Sequence, residues 1–159
     1  MSVSTLTKTV VINSAFLEEI KDSNTALWLQ FSCLHEACNV HEVRSVVLHN
    51  LVGLLNDFRD SLALQLALEE SYGYVEVPAS VMTELSHSVE QVRSQHCTLY
   101  LTISDLAEQA EELQYRGWTA EHVDHLVRQV KLFDLQFREH EQAERRLLEV
   151  SRPVLRKKQ

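Results

Sequence analysis

The sequence predicts an all-α protein, an antiparallel up-down-up-down four-helix bundle. Three observations predict it. Four long stretches repeat apolar residues every three or four positions, the period of a buried helix face. Glycine and proline, which interrupt helices, number only 3 and 2 in 159 residues. The connections between the periodic stretches are short or moderate, which sets consecutive helices side by side and antiparallel. A chain of this length buries a sizeable core as one domain. Its expected body is 13–150, between a loosely ordered segment 1–12 and a basic tail 151–159.

The first helix is expected over residues 13–37, with Leu17, Ile20, Asn24, Leu27, Phe31 and Leu34 on one face. Asn39, with Glu42 three positions later, reads as a capping box that opens a second helix over residues 40–71. The inner face of that helix carries Val47, Leu51, Leu54, Phe58, Leu62, Gln65, Glu69 and Tyr72. Gly73 and Pro78 end it, and Tyr72 to Pro78 is the longest connection. A third helix over residues 80–115 has the cleanest heptad: Leu85, Val89, Val92, His96, Leu99, Ile103, Leu106, Ala110 and Leu113. Gly117 stops it and Thr119 caps the fourth, which runs to about Val150 before Ser151 and Pro153. The fourth seam is Leu126, Val130, Phe133, Phe137, His140, Glu144 and Leu147.

A formal net charge of -8 excludes a phosphate-rich nucleic acid or an anionic membrane as the natural partner, because no basic face gains from releasing counterions. The one basic cluster, Arg156-Lys157-Lys158, reads as a solvated tail. Met1 to Ile12 is polar and mixed and no apolar run is long enough for a leader or a membrane span, so a cytoplasmic protein is expected. The three cysteines, Cys33, Cys38 and Cys97, lack metal or redox spacing and read as small core or semi-buried residues. No nucleophilic triad or phosphate-cradling loop appears. Glu84-Leu85-Ser86-His87 is a Glu-x-x-His in a single copy, and His140-Glu141 is not followed by a zincin histidine. His122 and His125 read as a surface pair, His35, His41 and His49 as exposed, and Tyr72 and Tyr74 as packing at the bundle's open end.

The seams therefore carry six polar residues: Asn24, Gln65, Glu69, His96, His140 and Glu144. Each one buried without a partner costs about 1–3 kcal/mol, against a net stability of roughly 5–15 kcal/mol. They must satisfy one another, water or an ion.

Their order along the chain resembles the hemerythrin-like (HHE cation-binding) family. The stretch LALQLALEESYGY resembles that family's second-helix motif, with Gln65 in the histidine's place and Glu69 as the carboxylate; RSQHCTL offers His96; REHEQAERRL offers His140 and Glu144; and SNTALW sets Asn24 where the first-helix histidine stands. The resemblance implies a four-helix bundle with a non-haem iron centre. It assigns His96, His140, Glu69 and Glu144 as ligands of one metal, and Asn24 and Gln65 as remnants of a second position. Amides are poor substitutes for imidazole on iron, so a mononuclear or weak centre is implied rather than a full di-iron one. Counting back from a tight hairpin at Val75 sets Glu69 level with Glu84, well short of His96. The site closes only if the Tyr72 to Pro78 connection travels along the bundle or a helix bends.

Two functions follow as expectations. One is a partial iron site that binds or senses oxygen or nitric oxide, or handles iron. The other is a metal-free scaffold, in which the polar residues bond one another and the acidic outer surface meets a protein partner or a second copy. An oxidase is disfavoured, since activating oxygen commonly draws on more than one redox equivalent.

Overall fold

The computed structural model describes residues 8–78 and 85–151, which form five α-helices and one two-stranded sheet. Strand β1 (Lys8–Ile12) leads into α1 (Ser14–Ser23), α2 (Thr25–Ala37) and α3 (Arg44–Leu68). A π-helical turn (Glu69–Gly73) then passes into strand β2 (Tyr74–Pro78), followed by α4 (Leu85–Arg116) and α5 (Ala120–Ser151). Helix α3 packs against α2 and α4, and α4 against α5; α1 lies against the π turn and α5.

The expected single first helix is two helices broken at Asn24. Its backbone (φ -99°, ψ 65°) is non-helical, and its Oδ1 accepts the Leu27 amide at 3.2 Å as the N-cap of α2. A short side-chain acceptor offers the backbone an alternative to helix, so a polar residue in a periodic seam can start a new helix instead of continuing one. The capping box at Asn39 and Glu42 does not form. Helix α3 begins after Val43 without a side-chain cap, and Asn39 Nδ2 instead donates to the His35 carbonyl at 2.8 Å. Thr119 does cap α5, with an unforeseen partner: Thr119 Oγ1 accepts the His122 amide at 3.3 Å, and His122 Nδ1 accepts the Thr119 amide at 3.1 Å.

Residues 8–12, expected to be loosely ordered, form β1. It pairs antiparallel with β2 in the register Lys8↔Pro78 to Ile12↔Tyr74. Val10, Val11, Ile12, Val75 and Val77 are β-branched, which suits a pleated ribbon. The expected third-helix start at Ser80 to Glu84, the first seven residues and the tail after Ser151 lie outside the described residues.

The core comes in two parts. The larger one joins α2 to α5 around Phe31, Phe58, Phe133 and Phe137, whose ring centroids lie 4.9–6.0 Å apart; each such pair adds about 0.5–1.5 kcal/mol beyond area burial. The smaller one gathers Val10, Tyr74, Val89, Val92 and Leu147 beside the ribbon. Along α4, His96 falls between Val92 of the small cluster and Leu99 of the large one; along α5, His140 and Glu144 fall between Phe137 and Leu147. A layer of buried polar residues thus separates the two cores. Of the cysteines, only Cys38 is buried; Cys33 and Cys97 are exposed.

The extended β2 resolves the register. Five strand residues advance about 16 Å, close to the roughly 18 Å of helix between sequence positions 84 and 96. The chain moves away from the end of α3 before α4 begins, and His96 arrives level with Glu69.

Gly73 closes the π turn where a Cβ would meet Leu17 Cδ1 at 2.9 Å, and its carbonyl accepts the Asn13 amide at 2.8 Å. Gly53 lies mid-helix in α3 with nothing within 4 Å of a Cβ. Gly73→Ala is expected to destabilise by about 1–3 kcal/mol through overpacking, and Gly53→Ala to stabilise by about 0.5–1 kcal/mol through helix propensity. Urea denaturation of the two variants measures both signs.

Candidate metal centre

Four side chains converge in the polar layer. Glu69 opens the π turn, His96 sits mid-way along α4, and His140 and Glu144 stand one turn apart on α5; all four are at most 5% exposed. One ligand atom from each lies within 4.8 Å of the other three. His96 Nε2 is 3.3 Å from Glu69 Oε1 and 3.5 Å from Glu144 Oε2, and His140 Nε2 is 3.7 Å from Glu144 Oε1. Glu69 Oε1, His96 Nε2, His140 Nε2 and Glu144 Oε1 are buried, and none makes a contact of hydrogen-bond geometry.

The outward nitrogens are engaged. His140 Nδ1 is 2.8 Å from the Gln95 carbonyl oxygen, and His96 Nδ1 is 3.0 Å from Glu70 Oε2. A side-chain carbonyl and a carboxylate are acceptors, so each Nδ1 carries the proton. Nε2 of a neutral ring then turns a lone pair inward, which is the tautomer and orientation of a metal-bound histidine. Arg93 Nε holds Glu70 at 3.0 Å and completes that support.

The carboxylates are fixed in turn. Gln65 Nε2 donates to Glu69 Oε2 at 2.6 Å, Asn24 Nδ2 donates to Gln65 Oε1 at 2.9 Å, and the Tyr74 hydroxyl donates to Glu144 Oε2 at 2.6 Å. Asn24 and Gln65, expected as remnants of a second metal position, form one relay that ends on Glu69. Tyr74 does not pack an open bundle end: it is buried, with its ring edge-on to His96 at 5.9 Å. Tyr72 is exposed.

Lys21, on α1, was not foreseen. Its ammonium forms ion pairs with Glu69 Oε2 at 3.5 Å, Glu141 Oε1 at 2.8 Å and Glu144 Oε1. The signal was present, since Lys21 stands four residues after Leu17 and three before Asn24, on the same face; Ile20 fits an apolar seam better and hid it. Tyr74 lies in a strand, where helical periodicity says nothing, and Gln95 neighbours a stronger candidate. Of the other sequence candidates, His87, His122, His125, His41 and His49 are exposed and stay outside the cluster, and Glu84 lies outside the described residues. His35 is also exposed and pairs with Asp134 at 2.9 Å.

The charges decide the protonation states. Burial alone would favour a neutral His96, but the Glu144 and Glu69 carboxylates beside Nε2 outweigh it and raise the ring to about 10. Burial lowers His140 to about 4, with His96 and Lys21 opposing its protonation, so it stays neutral. Burial would raise the Glu144 carboxyl, but His96 and Lys21 overcome it and hold the group well below the usual carboxylate range. Burial pushes Glu141 up to about 7 despite Lys21. Without a metal, Lys21 and a protonated His96 balance Glu69 and Glu144. The same four residues, with His96 deprotonated, make a set of two imidazoles and two carboxylates that could hold a divalent ion.

Comparison with known proteins finds no matching family model, curated protein or solved structure. Among the described residues, no helix is long and apolar enough to cross a membrane.

Metal-free stability follows these states. Between about 6.5 and 10 the folded chain keeps a proton on His96 that the unfolded chain has released. The stabilisation is full below pH 6.5 and is lost as pH rises through 10, at about 1 kcal/mol per pH unit. Glu141, raised from 4.5 to about 7, loses stability with rising pH over its own window, while His140, depressed to about 4, gains it up to 6.5; these two oppose. Chemical denaturation of metal-free protein at pH 7 to 9.5 is expected to show falling stability, and His96→Gln is expected to flatten that slope.

Proposed function

We propose that the chain is a hemerythrin-like four-helix bundle whose Glu69, His96, His140 and Glu144 hold a single non-haem iron, and that this centre binds or senses oxygen or nitric oxide or handles iron. One observation carries the reading: these four buried residues each bring one ligand atom within 4.8 Å of the other three. At that point the buried His140 Nε2 has no hydrogen-bond partner; an orphaned buried polar atom is rare and costly, and one aimed at two carboxylates and a second imidazole fits a cation's place.

The donor set is mixed imidazole and carboxylate, which suits divalent iron, manganese or zinc over calcium or magnesium. A bound ion would supply an open position for a small diatomic molecule and a redox equivalent. The protein's own groups do the rest. Glu70 and Gln95 fix the two ring tautomers, Gln65 and Tyr74 fix the two carboxylates, and the apolar clusters on both sides keep bulk water out. A groove of about 450 Å³ between α3 and α4, walled by Ala63, Leu66 and Ala67, reaches the edge of His96 beside the Glu70–Arg93 pair. It is wide enough for a diatomic ligand and mostly apolar, as such ligands favour.

The charge balance supports a second reading, a metal-free scaffold for a protein partner. With Lys21 and protonated His96 facing Glu69 and Glu144, the layer closes without an ion.

Metal analysis of protein purified without chelator, followed by anaerobic ferrous titration, separates the two. Near one iron per chain is expected, with the melting temperature rising about 5–10 °C when free iron is a hundredfold above its Kd. Affinity should climb about tenfold per pH unit near neutrality, because binding displaces the His96 proton. His140→Ala should remove both the iron and the iron-dependent shift. No iron and no shift in the wild type would leave the scaffold.

A further inference from the structure

Resting on the metal-centre reading above, we propose that the Lys21 ammonium is a built-in cation that fills a second cation position, bounded by Glu69, Glu141 and Glu144, and so limits the centre to one metal.

The two inner carboxylates each face two ways. Glu69 points Oε1 at His96 Nε2 and Oε2 at Lys21 Nζ. Glu144 points Oε2 at His96 Nε2 and Oε1 at both Lys21 Nζ and His140 Nε2. Each thus spans two positive positions, one among the imidazoles and one at Nζ. Glu141 closes the second position with Oε1 at 2.8 Å from Nζ, while its Oε2 lies 3.8 Å from His140 Nε2. Three carboxylates meeting at one point without a nitrogen donor make a site for a hard divalent cation. Here an ammonium takes that place instead, hydrogen-bonded to Glu141 Oε1 and ion-paired with Glu69 Oε2 and Glu144 Oε1.

The lysine is built in rather than visiting. Its side chain is 11% exposed, against 13% for Glu141 and 0% for Glu144. Its backbone carbonyl accepts the Trp28 indole N–H at 3.3 Å, which ties the end of α1 to the first turn of α2. Unlike a metal, a lysine neither exchanges with solvent ions nor changes oxidation state, so the second position contributes charge and no electrons.

The test titrates Mn²⁺ into wild type, Lys21→Ala and Lys21→Met, reading stoichiometry by equilibrium dialysis and melting temperature in parallel. Wild type is expected to saturate at no more than one Mn²⁺ per chain. Lys21→Ala, which empties the position, should bind one more than wild type, and Mn²⁺ should restore most of its lost melting temperature. Lys21→Met keeps the stem's bulk without the charge; it should lose melting temperature and gain no ion. Two Mn²⁺ in the wild type would overturn the proposal, as would a Lys21→Ala protein that takes no additional ion. If Lys21→Ala unfolds without metal, recovery of helical circular dichroism on refolding with Mn²⁺ upholds the proposal and no recovery overturns it. Failure of the metal-centre reading looks different: wild type binds none, while Lys21→Ala still goes from none to one.

Discussion

Two carboxylates, Glu69 and Glu144, lie at 1% and 0% exposure in the middle of a helical core, and the rest of the structure follows from what neutralises them. Removing one partner of a buried pair costs about 3–5 kcal/mol, a large share of a net stability of roughly 5–15 kcal/mol. The layer must therefore be completed as a whole. Three departures from regular helix serve that end. The break at Asn24 turns a side-chain amide toward Gln65, the π turn brings Glu69 inward and Glu70 toward His96, and the extended β2 carries α4 far enough to set His96 beside them.

Most of this was legible from seams alone. His96, His140 and Glu144 interrupt long apolar heptads, and burial of those positions is forced because a helix cannot rotate one residue out of its face without exposing the others. Glu69 was readable by the same logic. The partners were not. Lys21 follows the period but is charged, and a charged residue beside a good apolar alternative reads as solvent-facing; only the pull of three carboxylates brings it in. Asn24 was placed on the right face and in the wrong conformation, since the same side chain that suits a buried relay also suits a cap. Tyr74 and the β1–β2 ribbon are non-local, and no period within one segment reports a pairing between Ile12 and Tyr74.

The two histidines differ although they share a layer. Both turn Nε2 inward and hold Nδ1 on an acceptor, yet His96 has carboxylates at 3.3 and 3.5 Å, while those nearest His140 lie at 3.7 and 3.8 Å and positive neighbours oppose a proton there. One ring is thus a resident cation and the other a resident lone pair. With this asymmetry, a cation held by the four residues would take the place of a single proton at His96.

The ribbon has a kinetic side. Strand β1 pairs with β2 across most of the first half of the chain, and Lys21 finds Glu141 at a separation of 120 residues. Contacts between α3, α4 and α5 join neighbours in sequence and can form early, whereas the N-terminal arm closes the longest loops, and long loops close late. During synthesis the lysine leaves the ribosome first and its last partners leave near the end. Until that arm docks, Glu69, Glu141 and Glu144 lack the ammonium that pairs with them in the folded chain.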